Sequence, residues 1–136
     1  MSTVFYLKML TLLILFMSNT DPVIPLEPCP DTPNCHIEST SFDLPSDILF
    51  QDIETVIREM GVIEIQSNAE IGTIHAVFRI PLFGFKDDVN ITVEQDSTGR
   101  STLHIRSASR VGKRDLGVNR RRVNRILKKL NQKLYN

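Results

Sequence analysis

Residues 73–111 read TIHAVFRIPLFGFKDDVNITVEQDSTGRSTLHIRSASRV, and this stretch decides the fold. In Thr73–Ile80, Ile74, Ala76, Phe78 and Ile80 fall on one side of an extended chain. Thr73, His75 and Arg79 fall on the other, and only Val77 interrupts the period of two. Pro81-Leu82-Phe83-Gly84 marks a turn or bulge. Asp88–Glu94 then alternates again, with Val89, Ile91 and Val93 inward. Asp96-Ser97-Thr98-Gly99 is the next turn, and Thr102–Val111 is a further strand that Gly112 breaks. Strands that follow one another through short turns predict an antiparallel meander.

Upstream, Val62–Gln66 adds a short strand. Before it, Leu49, Ile53, Val56 and Met60, with Ile57 beside them, recur at helical spacing behind Pro45 or Ser46, and Gly61 provides the stop. Downstream, Val123, Ile126, Leu127, Leu130 and Leu134 form the apolar stripe of a last helix that Asp115 is placed to cap. The order α-β-β-β-β-α predicts an α+β fold: a four-stranded antiparallel meander sheet with two helices on one face. That domain is expected over residues 44–136.

The rest of the chain reads differently. Lys8 precedes Met9–Met17 (MLTLLILFM), the charged and apolar regions of a secretory signal. Val4–Met17 is fourteen residues, short of the roughly 20 that span a bilayer comfortably. Residues 1–20 are therefore expected to be a signal peptide or a retained N-terminal anchor. Either implies export, to a periplasmic or membrane-associated location. Residues 21–43 hold Pro22, Pro25, Pro28, Pro30 and Pro33 and predict a stiff, extended linker. The only cysteines, Cys29 and Cys35, lie there with five residues between them. In an exported chain that spacing reads as a small-loop disulfide. A metal site from Cys29, Cys35, His36 and Asp31 would lack the further Cys or His that zinc prefers, and free or redox-active thiols are the third alternative. No metal and no cofactor is expected.

Hydrophobic residues at 41% and charged residues at 24% describe a globular chain. Sixteen Lys and Arg balance sixteen Asp and Glu, but not locally. Residues 21–99 carry fifteen acids against Arg58, Arg79 and Lys86. Residues 100–136 carry twelve bases against Asp115. Either the halves neutralise each other in the fold or the basic quarter meets an anionic partner. On the last helix, Arg121, Arg125, Lys128 and Lys129 lie opposite the apolar stripe, Asn119 lies within its arc and Arg120 at its margin. The outer basic face suits lipid headgroups. An exported chain without interleaved aromatic residues does not suit nucleic acid.

The candidate site is built on Arg106-Ser107-Ala108-Ser109-Arg110. Arg106, Arg110 and His104 share one strand face, and Arg79 and His75 join it if the registers agree. Asp87 and Asp88 begin the neighbouring strand, with Asp115, Asn119 and Arg120 close by at the last helix. Arginine suits bidentate contact to carboxylate or phosphate, so the group makes either an anion pocket or an internal ion-pair network. Adjacent Asp87 and Asp88 point to opposite faces and cannot act as one acid–base pair. Ser107 or Ser109 opposes His104, which weakens a serine hydrolase without removing it as an alternative.

These segments carry a resemblance. Cys29-Pro-Asp-Thr-Pro-Asn-Cys35, Phe85-Lys86-Asp87-Asp88-Val89, Arg106-Ser-Ala-Ser-Arg-Val-Gly112 and Asp115-Leu-Gly-Val-Asn-Arg-Arg-Arg122, in this order, look like the domain-of-unknown-function family 1499. The match runs from about Pro28 to Leu134. The family comprises small proteins of bacteria and photosynthetic eukaryotes, often exported or membrane-associated. The chain departs from it at Lys113 and Arg114, where an aromatic and a small polar residue are expected, and at His36. The resemblance supplies no activity and implies only that the Asp-Asp, Arg-Ser-Ala-Ser-Arg and Asp-Leu-Gly-Val-Asn-Arg positions act together. The expectation is an accessory or binding domain that holds an anionic small molecule, lipid headgroup or protein partner over Arg79, Arg106 and Arg110. A hydrolase near Arg106–Arg110 and a membrane-surface protein using its last helix are the alternatives.

Overall fold

A computed structural model describes residues 26–136, so the expected signal or anchor and the first linker residues lie outside the described part. The alternation of residues 73–109 becomes three strands, β3 (Thr73–Arg79), β4 (Lys86–Gln95) and β5 (Ser101–Ser109). Ahead of them come β1 (Cys35–Phe42), helix α1 (Ser46–Glu59) and β2 (Glu64–Asn68); helix α2 (Val118–Tyr135) ends the chain. All pairings are antiparallel, in the spatial order β1-β5-β4-β3-β2.

The sheet therefore has five strands, not four. The extra one, β1, starts inside the stretch expected to be linker and pairs along its whole length with β5. The last linker proline is Pro33, so nothing from Cys35 onward prevents an edge strand from forming. The disulfide joins Cys29 to Cys35, with Cα atoms 5.6 Å apart, and so fixes the approach to β1. It also removes both thiols as metal ligands.

Directly opposed residues point to the same side of the sheet. Ala76↔Val89↔Ser107 and Ile74↔Ile91↔Ile105 place one face under the helices. There, Leu49, Ile53, Val56 and Ile57 of α1 and Val123, Ile126 and Leu130 of α2 close a single apolar core. The opposite face is open. Val77, the residue that breaks the alternation, lies on it at 1% exposure, ringed by the ion-paired Glu64, Lys86, Asp88 and Arg110. Gly72 fastens the β2–β3 turn. Its carbonyl accepts the Val93 N–H at 2.8 Å, its φ is +65°, and a Cβ would stand 2.3 Å from the Val93 oxygen, so only glycine fits.

Candidate functional site

Asp87 and Asp88 open β4 on opposite faces, and each anchors a different polar cluster. Beneath α2, the Asp87 side chain is fully buried and lies 2.6 Å from Nη2 of Arg122, itself about nine-tenths buried. The contact is close but poorly aligned, and neither Asp87 oxygen has a hydrogen-bond partner among the described residues. Arg122 is held on its other sides by the Phe78 ring, 5.2 Å from centroid to Cζ, and by Nη1 bonds to Ser107 Oγ and Asn119 Oδ1.

Asn119 is the hub of this cluster. At 0% exposure, its Oδ1 accepts from Ser107 Oγ at 2.6 Å, and its Nδ2 hydrogens are shared by the Asn34 carbonyl, Ser109 Oγ and Asp115 Oδ2. Asp115 stands before the helix and accepts the Gly117 and Asn119 backbone N–H groups. These bonds satisfy donors that a helix N-terminus leaves open. Burial pushes the Asp115 carboxyl up, but the hydrogen bonds from Asn119 and Gly117 outweigh it and leave the group below its ordinary range. Asn34 closes the ring by donating to the Gly112 carbonyl at 2.6 Å. One network thus ties the approach to β1, the ends of β4 and β5, and α2.

On the open face, Asp88 accepts from Arg110 through Nε (2.8 Å) and Nη2 (2.9 Å) and contacts His75 Nε2 at 2.8 Å. Those bonds, Arg110 first, hold its carboxyl below the ordinary range against a smaller opposing effect of burial. Arg106 shares this face at 11% side-chain exposure, 3.9 Å from Glu27. Its Nε is buried without a partner among the described residues. Beside it, Leu26 and Glu27 border a hollow of about 500 Å3 over His75, Asn90 and Thr92.

The predicted residues are thus divided. Asp87, Asp115 and Asn119 meet beneath α2, while Asp88, Arg106 and Arg110 share the open face. Arg79 is exposed at the end of β3, and Arg120 is exposed on α2. The arginine that reaches the sheet from α2 is Arg122, which sequence reasoning missed. Its signal was its place four residues before Ile126 and three after Asn119. Ser107 and both His75 and His104 lie on opposite faces. His104 instead meets Ser39 Oγ through Nδ1 at 2.6 Å and Glu94 through Nε2. Ser39 belongs to the unforeseen strand β1.

One concave site gathers the arginines. Between the end of α1, the end of β3 and the start of α2 lies a cleft of about 440 Å3. Its walls include Arg79, Arg121, Arg122 and Arg125, with Met60, Phe78, Ile80, Pro81 and Val118 as apolar surface and no acidic residue. Among the described residues Arg79, Arg121 and Arg125 have no acidic partner, and Arg121 binds the Leu116 carbonyl. No three His, Cys, Asp or Glu converge as metal ligands among the described residues.

A family model described as "Protein of unknown function (DUF1499)" matches residues 25–130. The chain belongs to the DUF1499 family. No curated protein matches it. In structure, this DUF1499 domain is similar to the adenylate sensor from AMP-activated protein kinase, solved in complex with 5-aminoimidazole-4-carboxamide 1-beta-D-ribofuranotide. The TM-score is 0.54 at 10% identity, covering 67% of this chain and 93% of that one. That likeness is one of fold. Protein CV1439 from Chromobacterium violaceum (10% identity, 71% and 94% covered, TM-score 0.42) and Ara h 8.0201 (11%, 75% and 98%, 0.40) are more distant in shape.

Proposed function

We propose that this chain is an exported or membrane-anchored, non-catalytic binding domain that holds a carboxylate- or phosphate-bearing ligand in the arginine-lined cleft. The observation that carries this reading is the cleft wall itself: Arg79, Arg121 and Arg125, none with an acidic partner among the described residues, beside apolar side chains and the Asp87-paired Arg122. Arg122 is fixed by Asp87 and Phe78 before any ligand arrives, which lowers the entropy lost on binding. Arg120, Arg121 and Arg122 also crowd the first turns of α2, the positive end of the helix dipole, where cations are unfavourable and an anion is welcome. Arg106 and Arg110 are the weaker seat, because Asp88 already engages Arg110 on both Asp88 oxygens.

The test is a titration of the full chain with inorganic phosphate and with a short-chain fatty acid, followed by backbone amide shifts. Shifts at Phe78–Ile80 and Val118–Arg122 should saturate, and should vanish in the Arg121→Gln, Arg125→Gln double variant, whose side chains are exposed. Shifts that persist in that variant, or never saturate, defeat the reading.

A second reading, acyl hydrolysis, is favoured by the Ser39–His104–Glu94 chain, a hydroxyl, imidazole and carboxylate in sequence. Labelling of the full chain by a fluorophosphonate, lost in Ser39→Ala, would favour it over simple binding. Ser39 is exposed on an edge strand, and a chain that takes no label rejects the hydrolase.

A further inference from the structure

The end of the domain that carries the cleft also carries five of the most exposed large apolar side chains among the described residues. Leu82 and Leu116 are each 89% exposed, Phe83 69%, Val111 52% and Phe85 49%. They come from two loops that the fold sets side by side. Residues 80–85 join β3 to β4, and residues 110–117 join β5 to α2. The Arg110 N–H donates to the Lys86 carbonyl at 3.1 Å, so the two loops leave β4 and β5 side by side, with Phe85 and Val111 each one residue beyond that contact. Ile80 and Pro81 of the first loop and Val118 at the end of the second line the same cleft. Scattered exposed apolar residues need no account, but five on two loops that leave adjacent strands, with Phe83 stacked on Phe85, do.

Two features show these loops are built to stay outward. Residues 80–85 read IPLFGF, with no polar side chain. The turn closes on itself through Ile80 N–H to the Phe85 carbonyl at 2.8 Å and Gly84 N–H to the Ile80 carbonyl at 3.0 Å, and Phe83 stacks on Phe85 at 5.9 Å. A turn that bonds its own backbone loses less on leaving water. Leu116 sits at φ 54°, an uncommon backbone for leucine. Asp115, bonded to Gly117 N–H, and Arg121, bonded to the Leu116 carbonyl, hold it there.

The surroundings identify the partner. Residues 78–86 and 110–125 contain nine basic residues and one acid, Asp115. Lys86, Arg110 and Arg122 are already paired with Glu64, Asp88 and Asp87, which leaves Arg79, Lys113, Arg114, Arg120, Arg121 and Arg125 as the cationic surround. Asp115 is turned inward onto Asn119. Arg79 and Lys86 face each other at the base of the first loop, and Lys113 and Arg114 precede Leu116. An apolar tip inside a cationic ring complements an anionic bilayer, whose headgroups attract the ring while the acyl region accepts the tip. A second copy would bring ring against ring and be repelled.

We propose that this end docks on anionic lipid bilayers, seating Leu82, Phe83 and Leu116 below the headgroups. No helix among the described residues is long and apolar enough to cross a membrane; the docking is interfacial. It does not require the cleft to be filled, so it and the ligand reading fail separately.

The chain contains no tryptophan, so a single introduced indole reports one position in the full-length protein. Leu82→Trp, Leu116→Trp and, as a distant exposed control, Ile48→Trp are mixed with vesicles of phosphatidylcholine alone or with phosphatidylglycerol. With anionic vesicles, emission from Leu82→Trp and Leu116→Trp should shift to shorter wavelength and be quenched by lipids brominated on the acyl chain, while Ile48→Trp stays unshifted. The shift should be lost near 1 M salt, where the screening length falls to about 3 Å. Because the readout is local, attachment through any other part of the chain leaves Leu82→Trp in water, and that result overturns the proposal. So do an absence of binding, an equal shift on neutral vesicles, and a shift without vesicles that grows with protein concentration, which marks self-association.

Discussion

Asp87 and Asp88 are neighbours in sequence with the same side chain, yet they sit in opposite electrostatic worlds. Asp87 is sealed beneath α2 with Arg122, both almost out of contact with water. Asp88 lies on the open face, a quarter exposed, with Arg110 and His75 at its oxygens. The first pair has lost its hydration and depends on its partner. The second has kept much of its solvent and its partner is optional. An ion pair is therefore a different structural object on each side of one strand.

The largest expected effect follows from breaking the buried pair. Asp87→Ala leaves Arg122 as an uncompensated buried charge and should cost roughly 3–5 kcal/mol of unfolding free energy by urea denaturation. Replacing both partners, Asp87→Leu with Arg122→Met, should recover much of that loss, because hydrophobic residues can replace a buried pair. A double variant no more stable than Asp87→Ala would show that the pair does more than neutralise itself.

Asn119 comes next. Asn119→Leu deprives Ser107, Ser109, Asp115 and the Asn34 carbonyl of a partner at once. At about 1–3 kcal/mol for each buried group that stays unsatisfied, with some groups finding each other or water, a loss of about 2–4 kcal/mol is expected. Amide exchange should accelerate in the first turns of α2 before it does so in β3. Equal acceleration everywhere would mean the network does not latch the helix specifically.

The contrast between the two faces also explains what was legible in the sequence. β3, β4, β5 and both helices follow from apolar periodicity because each buries one regular face. Asp87 shares its side of β4 with Val89 and Ile91, so its burial was readable from spacing alone. β1 was not. The helix-facing residues His36, Glu38, Thr40 and Phe42 include one large apolar side chain, so an edge strand formed without the pattern that announces one. Arg122 escaped for a related reason. An arginine inside an apolar stripe reads as a solvated margin unless a buried carboxylate is known to face it, and that requires the strand–helix register. The arginine-lined cleft draws on three separate chain segments, and no local pattern encodes it.

A smaller effect is expected from the disulfide. Cys29–Cys35 closes a loop with a sequence separation of 6, for which chain entropy supplies about 2 kcal/mol at most. Reduction should loosen the approach to β1 and leave α1 and β2–β4 intact by amide exchange. Global unfolding on reduction would show that β1 docking and the Asn34 bond to Gly112 depend on the bridge.

The smallest effect belongs to Asp88, and its sign is fixed by the direction of its shift. Arg110 above all, with His75, holds the Asp88 carboxyl below its unfolded value despite partial burial. A depressed carboxylate stabilises the fold above the unfolded pKa, about 3.9, and loses that contribution as pH falls through the folded value. The full chain should therefore be slightly more stable than Asp88→Asn at neutral pH, and the two should converge as pH falls below about 4. Asp115 moves in the same direction through its bonds to Asn119 and Gly117, so Asp115→Asn should converge with the parent chain in the same acid range, from a larger initial gap because its bonds are buried. If Asp88→Asn proved as damaging as Asp115→Asn at neutral pH, solvent would not be screening the open-face pair, and the distinction between the two faces would fail.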